Sequence, residues 1–253
     1  MARYQIILAY DGTGFLGSQR QASSRTVQSE LEKALQKLGW QGQTVYLAGR
    51  TDTGTHASGQ VAAFDLDWKH GLQELQDALN AHLPRDMAVR EVQTAADNFH
   101  PRFDASSRCY RYRLFCASAR DPLRERYAWR VWPAVTNLAM LAQIWPGRHD
   151  FAAFGTPPRS GGSTVRTVMS AGWQQHGDEW IFEIRADAFL YRMVRRLVYA
   201  QVAVGQARLS AKTLLHALDE RSKVGQAARS QIPASLAPAS GLTLVEVRYD
   251  NLV

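Results

Sequence analysis

The sequence predicts an α+β protein of two halves, each built in the order strand, helix, strand, strand, helix, strand. Three observations carry that prediction. Segments in which apolar residues alternate with period two are interleaved with segments of helical period. No apolar run approaches the roughly 20 residues that span a bilayer. The composition, 45% hydrophobic and 21% charged over 253 residues, is that of a folded globular chain long enough for one large domain or two ordinary ones.

In the first half, Arg3–Tyr10 alternates Tyr4, Ile6 and Leu8 against Gln5, Ile7 and Ala9 and reads as a strand. A loop with Gly12, Gly14 and Gly17 follows, expected to be flexible. Thr26 caps a helix over Val27–Leu38, whose Val27, Leu31, Ala34, Leu35 and Leu38 share one face, and Gly39 ends it. Thr44–Leu47 and Gly59–Leu66 read as strands on either side of Ala48–Ser58, a stretch rich in Gly and Thr. A helix over Leu72–His82 stops before Pro84, and Met87–Val92 closes the half as a strand.

The second half repeats the order with longer connections. Arg108–Phe115 is a strand, Val135–Trp145 a helix, Val165–Trp173 and Glu179–Ala186 two strands. Phe189–Val204 is a helix, Ala211–Leu218 a short helix capped by Ser210, and Leu242–Tyr249 the final strand. Thr156–Ser163 and Gly225–Ser240 read as mobile loops. The division is 1–104 and 105–253, a duplicated split βαβ order without a residue-level repeat.

Charge divides along the same boundary. Residues 1–104 hold 10 Lys+Arg against 12 Asp+Glu, whereas residues 105–253 hold 20 against 11, so the whole surplus of +7 lies in the second half. Of the 30 basic residues 25 are Arg, whose planar fork suits phosphate oxygens. Codon bias could produce the Arg excess; the asymmetry between halves points to a polyanion-binding face. The two cysteines, Cys109 and Cys116, lie seven apart on one strand and face opposite ways, which excludes a disulfide scaffold. Met1-Ala2-Arg3-Tyr4 runs straight into a strand with no signal-peptide pattern, so a cytoplasmic protein without a membrane anchor is expected.

Several familiar patterns fail on their own chemistry. Gly12-Thr13-Gly14-Phe15-Leu16-Gly17 fits G-x-G-x-x-G, but the helix that should start at the glycines to meet a pyrophosphate starts at Thr26 instead. Asp52-Thr53-Gly54 matches the aspartic-protease triplet, which needs a second carboxylate sharing one proton; the triplet occurs once, a symmetric homodimer could supply the second copy, and Arg50 two residues away stands against the neutral member such a pair requires. The seven histidines are scattered without metal-ligand spacing, and no metal is expected.

Three segments carry chemistry. Gly49-Arg50-Thr51-Asp52-Thr53-Gly54-Thr55-His56-Ala57-Ser58-Gly59-Gln60 is a loop between strands holding one carboxylate beside Arg50 and several hydroxyl groups. On the strand Arg108–Arg113, alternation puts Arg108, Tyr110 and Tyr112 on one face and Arg111 and Arg113 on the other, a mix suited to stacking on bases and pairing phosphates. On the helix Phe189–Val204, Leu190, Met193, Val194, Leu197 and Val204 form the core stripe. Arg192, Arg195, Arg196 and Tyr199 gather opposite, with no acid on that face.

Together these segments resemble the tRNA pseudouridine synthase A family along nearly the whole chain. The match runs through Tyr10-Asp11-Gly12, Gln19-Arg20-Gln21, Thr26-Val27-Gln28, the loop Ala48–Gln60, and Leu79-Asn80-Ala81-His82-Leu83-Pro84. It continues through Phe99-His100-Pro101-Arg102-Phe103, Arg108–Tyr112, His149-Asp150-Phe151, Val165-Arg166, Phe189-Leu190, Met193-Val194-Arg195 and Gly241-Leu242. Its most specific part is the G-R-T-D-x-G-x-H-A core.

The resemblance implies a homodimer of subunits with two ferredoxin-like α+β halves, their antiparallel sheets joined, flanked by helices and lining a central basic cleft. It implies isomerisation of uridine to pseudouridine in the anticodon stem-loop of tRNA, at positions 38, 39 and 40, without metal or organic cofactor. Asp52 matches the catalytic aspartate, Tyr110 the tyrosine that stacks on the target uracil, and Arg195 an arginine that pairs with the aspartate. Arg50 matches a basic residue that helps hold the flipped nucleotide. The chain departs from the family pattern at Ser18, where Trp is common, at Thr53 and Thr55, where small apolar residues are common, and at Tyr199, where a small residue is usual. A synthase for another RNA site and a non-catalytic RNA-binding module are the alternatives; the second has no need of an Asp52–Arg195 pair.

Overall fold

A computed structural model describes residues 1–219 and 223–250. The chain gathers into two compact units, Met1–Ser106 with Thr243–Val253, and Ser107–Leu242. Both are α+β, with mainly antiparallel strands and flanking helices.

In the first unit the elements follow the predicted order: β1 (Ala2–Tyr10), α1 (Val27–Lys37), β2 (Tyr46–Leu47), β3 (His56–Leu66), α2 (Leu72–His82) and β4 (Met87–Thr94). Strand β1 runs antiparallel to β3 on one side and β4 on the other, with Ile6 opposite Ala62 and Val92. Its alternation is realised as burial of Tyr4, Ile6, Leu8 and Tyr10. The stripe of α1 is buried at Val27, Leu31, Ala34 and Leu35, and Thr26 caps it reciprocally with Ser29. The side chain of Asn80 joins α2 to β4, donating to Val89 O at 2.9 Å and accepting from Val89 N at 2.7 Å. On the other face of the sheet, Phe99 packs with Ala48, Val61 and Ala63.

The far edge of β3 is shared. Strand β2 pairs antiparallel at Ala62 and Ala63, and β10 (Leu242–Arg248) pairs parallel at His56 and Ala57. The sequence reading placed this closing strand in the second half and drew the boundary after residue 104; the structure groups Thr243–Val253 with the first unit and ends the first stretch at Ser106. Contact is close enough that a Cβ at Gly59 would strike the Val245 carbonyl oxygen, and the Tyr249 hydroxyl donates to Pro101 O at 2.8 Å. Pairing across so many residues leaves no local signal.

The second unit carries β5 (Ser107–Cys116), α3 (Pro122–Glu125), β6 (Trp129–Val131), α4 (Leu138–Ala142), β7 (Gly147–Asp150), β8 (Val165–His176), β9 (Glu179–Ala186), α5 (Met193–Gly205), α6 (Ala211–Ala217) and α7 (Lys223–Gln231). Strands β5, β9, β8 and β7 are antiparallel neighbours in that order, and β6 adds in parallel to β5. The helix read over Val135–Trp145 is confined to Leu138–Ala142. The helix read from Phe189 begins at Met193, because Arg192 adopts a left-handed conformation (φ 63°) and Tyr191 bridges to Thr156. Residues 225–231 of the stretch read as a mobile loop are helical, as part of α7. Neither Cys109 nor Cys116 forms a disulfide.

Candidate functional site

The loop between β2 and β3 is immobilised by side chains that reach it from distant parts of the first unit. Buried Ser18 holds Thr51 from both sides: its Oγ accepts from Thr51 N at 2.8 Å and its own N–H donates to Thr51 O at 3.1 Å. The Tyr10 hydroxyl lies 2.9 Å from Thr51 Oγ1, and burial pushes this phenol up to about 12. The Gln60 amide closes the base of the loop, accepting from Gly49 N at 3.1 Å and donating to Gly49 O at 2.8 Å. The loop turns at Asp52, whose carbonyl accepts from Thr55 N at 3.1 Å, with Gly54 in the left-handed region at φ 77°.

The glycine segment after β1 backs this turn. It is not the flexible loop expected from its composition. Asp11 caps a single 3₁₀ turn over Gly12–Gly14, and a Cβ at Gly12 would drive into the Thr55 carbonyl oxygen. Gly12 N donates to His56 Nδ1 at 3.0 Å, Gly54 N donates to Phe15 O at 3.4 Å, and Gly17 meets the turn at φ 86°. Asp52 emerges half-buried from this frame, and Arg50 is exposed.

In the second unit Tyr110 sits on β5, 8% exposed, with Phe189 edge-on at 5.0 Å. Tyr112, read as its companion on a binding face, is fully buried and donates to Pro238 O at 2.8 Å; it belongs to the core. Arg111 and Arg113 are not unpaired phosphate ligands either. Arg111 faces Glu183 directly across the β5–β9 pairing and Arg113 reaches diagonally to Glu179, with ion pairs of 2.6 and 2.5 Å. Arg195 on α5 donates from Nε to Ala237 O at 2.7 Å, and its own carbonyl accepts from Ala237 N at 3.2 Å. Tyr199 stacks on Trp129 at 6.0 Å and takes a hydrogen bond from Arg208 at 3.4 Å, which with Ser235 holds the phenol below its usual range.

A family model described as tRNA pseudouridine synthase matches residues 6–104 and 141–250. The chain belongs to the tRNA pseudouridine synthase family. A tRNA pseudouridine synthase A of Chloroflexus aurantiacus is 41% identical over 258 residues, covering 98% of this chain and 89% of the relative. One of Limosilactobacillus fermentum is 37% identical over 258 residues, with 99% and 97% covered, and one of Methylobacterium nodulans 38% over 252, with 98% and 96%. Among solved structures, a chain of a Cbf5-Nop10-Gar1 complex aligns at a TM-score of 0.34 and 13% identity, covering 80% of this chain and 45% of that one. The enzyme is an isomerase acting on tRNA.

Within the enzyme, the sequence reading found the carboxylate loop and missed what holds it. Tyr10, Gly12 and Gln60 fall inside matching motifs, but Ser18 stands where the family pattern has another residue, and nothing local marks its hydroxyl as a clamp. The motif residue Asp150 is structural: it accepts from Thr164 Oγ1 and Ala152 N and pairs with Arg229 at 2.8 Å. Among the described residues no group of three or more His, Cys, Asp or Glu is placed to hold a metal ion, and no helix is long and apolar enough to cross a membrane.

Proposed function

We propose that the enzyme isomerises uridine to pseudouridine in the anticodon stem-loop of tRNA, at positions 38, 39 and 40, as a cytoplasmic homodimer without metal or organic cofactor. The observation that supports a catalytic loop is the cost of building it: the buried side chains of Tyr10, Ser18 and Gln60 and the close-packed Gly12 and Gly17 hold one turn, and that turn carries a single carboxylate. In this reading Asp52 reacts, Tyr110 stacks on the uracil, Arg195 pairs with Asp52 and Arg50 holds the flipped nucleotide.

The reaction breaks N1–C1′, turns the base and bonds C5 to C1′; the proton on C5 leaves and N1 gains one. A carboxylate serves by attacking C1′, by attacking C6, or by taking a proton from the sugar. Each route needs the carboxylate in its charged form, as nucleophile or as base. Extruding the base costs a few kcal/mol, offset by stacking on a ring.

The test separates chemistry from binding. Asp52→Asn and Asp52→Ala abolish pseudouridine formation while tRNA affinity is kept or rises, because an anion is removed from a site that faces phosphates. Tyr110→Ala loses about 1–3 kcal/mol of stacking, and Tyr110→Phe keeps most of it. A tritium-release assay paired with filter binding on one tRNA reads both quantities. Turnover of Asp52→Ala within about tenfold of wild type moves the catalytic role elsewhere.

A further inference from the structure

The sheet face of the first unit that carries Val61 and Ala63 is covered by Phe99, and just outside that cluster three rings form a ladder. Tyr46 and His100 have ring centroids 5.0 Å apart, and His100 and Phe103 4.3 Å apart. The rings at the two ends are open to solvent, Tyr46 at 42% and Phe103 at 73%. Each end also carries a guanidinium 5.8 Å from its ring centroid, Arg3 at Tyr46 and Arg102 at Phe103.

The ladder is built rigidly. His100 Nδ1 accepts from Arg102 N at 3.1 Å and from Phe103 N at 3.3 Å, which fixes the turn that presents Phe103. Asp104 accepts from His100 N at 2.8 Å, and its own N–H returns to His100 O at 3.1 Å. Arg3 is held by Phe99 O at 2.7 Å and by Asp65 at 2.9 Å. Burial holds the His100 imidazole below its usual range, in keeping with an Nδ1 that accepts both hydrogen bonds. Isolated exposed apolar residues are common; a rigid, exposed ring held against a second ring is what stacking on an unpaired base requires.

We propose that the Tyr46–His100–Phe103 ladder is a stacking platform for an unpaired nucleobase of the tRNA substrate, separate from the loop that carries Asp52. Its distance from that loop follows from register. Tyr46 and Gln5 both pair with Ala63, and Tyr10, whose hydroxyl contacts Thr51, lies five residues further along β1. Along β1, at about 3.4 Å per residue, Gln5 and Tyr10 are about 17 Å apart, and Tyr46 lies across β3 from Gln5, so the platform receives a base other than the target uridine. The solvent-open ring of Phe103, with the Arg102 guanidinium 5.8 Å from its centroid, offers an unpaired base a π face and a cation side by side. The inference rests on tRNA being the substrate and not on the role of Asp52.

The test uses Phe103→Ala, Phe103→Leu and Phe103→Trp in the full chain, with an unmodified tRNA transcript. Ala and Leu are each expected to raise Kd about tenfold, whereas Trp matches wild type or binds more tightly. Thermal midpoint and the single-turnover rate at saturating tRNA stay at wild-type values. Leu supplies apolar volume without a π face, so restored binding with Leu overturns stacking. A Kd within twofold of wild type for Ala overturns the platform outright. A change in sedimenting mass overturns it in favour of a contact between copies. Measuring the same substitution in an Asp52→Asn background keeps the two readings apart: the tenfold loss persists there whatever Asp52 does.

Discussion

The Asp52 loop and the arginine-rich strand β5 both contain strongly polar sequence, yet they are held in opposite ways. The loop is fixed by partners outside itself, in contacts to Tyr10, Ser18, Gln60 and the Gly12 segment, that leave its carboxylate half-buried at the turn. On β5 the charges are answered one residue at a time by the neighbouring strand, Glu183 to Arg111 and Glu179 to Arg113. Polar residues in the first region are framework for one group; in the second they are cross-strand pairs of modest worth. A count of charges therefore overstates the anion-binding capacity of the second unit, and a count of loop residues understates the rigidity of the first.

The largest effect that tests this contrast comes from Gly12→Ala. The added methyl meets backbone rather than a movable side chain, so the turn at Thr55 must shift. Turnover is expected to fall by about a hundredfold or more, the scale of a displacement near 1 Å in a positioned group. Circular dichroism should show the fold retained. Wild-type turnover would mean that the loop tolerates movement and that its frame is not functional.

Asp150→Asn tests the second unit where a charge pair is buried. Burial alone would raise this carboxyl, but the Thr164 hydroxyl, Arg229 and Ala152 N–H outweigh it and hold it below the ordinary carboxylate range. The stabilisation is therefore complete above the unfolded-state value of about 3.9 and is lost as pH falls through the lower folded-state value. Substitution should cost about 3 kcal/mol at neutral pH and flatten the acid limb of the unfolding curve below about pH 4. Denaturant titrations at pH 3 and pH 7 read both changes.

Thr55→Val refines the picture of the loop frame. Thr55 Oγ1 is buried and has no hydrogen-bond partner among the described residues, and Val keeps the shape while removing the hydroxyl. A gain of about 1 kcal/mol in unfolding free energy is expected with turnover unchanged. A loss of stability would show that the hydroxyl is satisfied in solution.

The smallest effect belongs to Arg111→Gln with Arg113→Gln. Because both guanidinium groups already face carboxylates, the slope of log affinity against log salt should change by less than about one unit, below the roughly 1.8 expected if two phosphate contacts were lost. A change near that larger value would return both arginines to the RNA path.

How much of this was legible follows the reach of each interaction. Strand β1 and helix α1 announce themselves through alternation and through Thr26, all within a few positions. Helix α7 does not, since only Gly225 and Ala228 of its residues are buried and no apolar stripe marks it. The start of α5 was misread because the left-handed Arg192 leaves the apolar pattern of Phe189 and Leu190 intact while ending the helix. In the candidate site, Asp52 and Arg50 stand in a contiguous motif. Ser18 reaches Thr51 across 33 positions and Tyr10 reaches it across 41, and separations of that size carry no periodicity to read.

The parallel strand β10 has a consequence for the order of synthesis. It pairs with His56 and Ala57, directly after the turn that holds Asp52, yet a ribosome makes it only after the entire second unit. The first unit is thus begun first and closed last. On a nascent chain the second unit has all its residues while the edge beside His56 still waits for its strand, so the carboxylate loop is among the last parts to acquire its final surroundings.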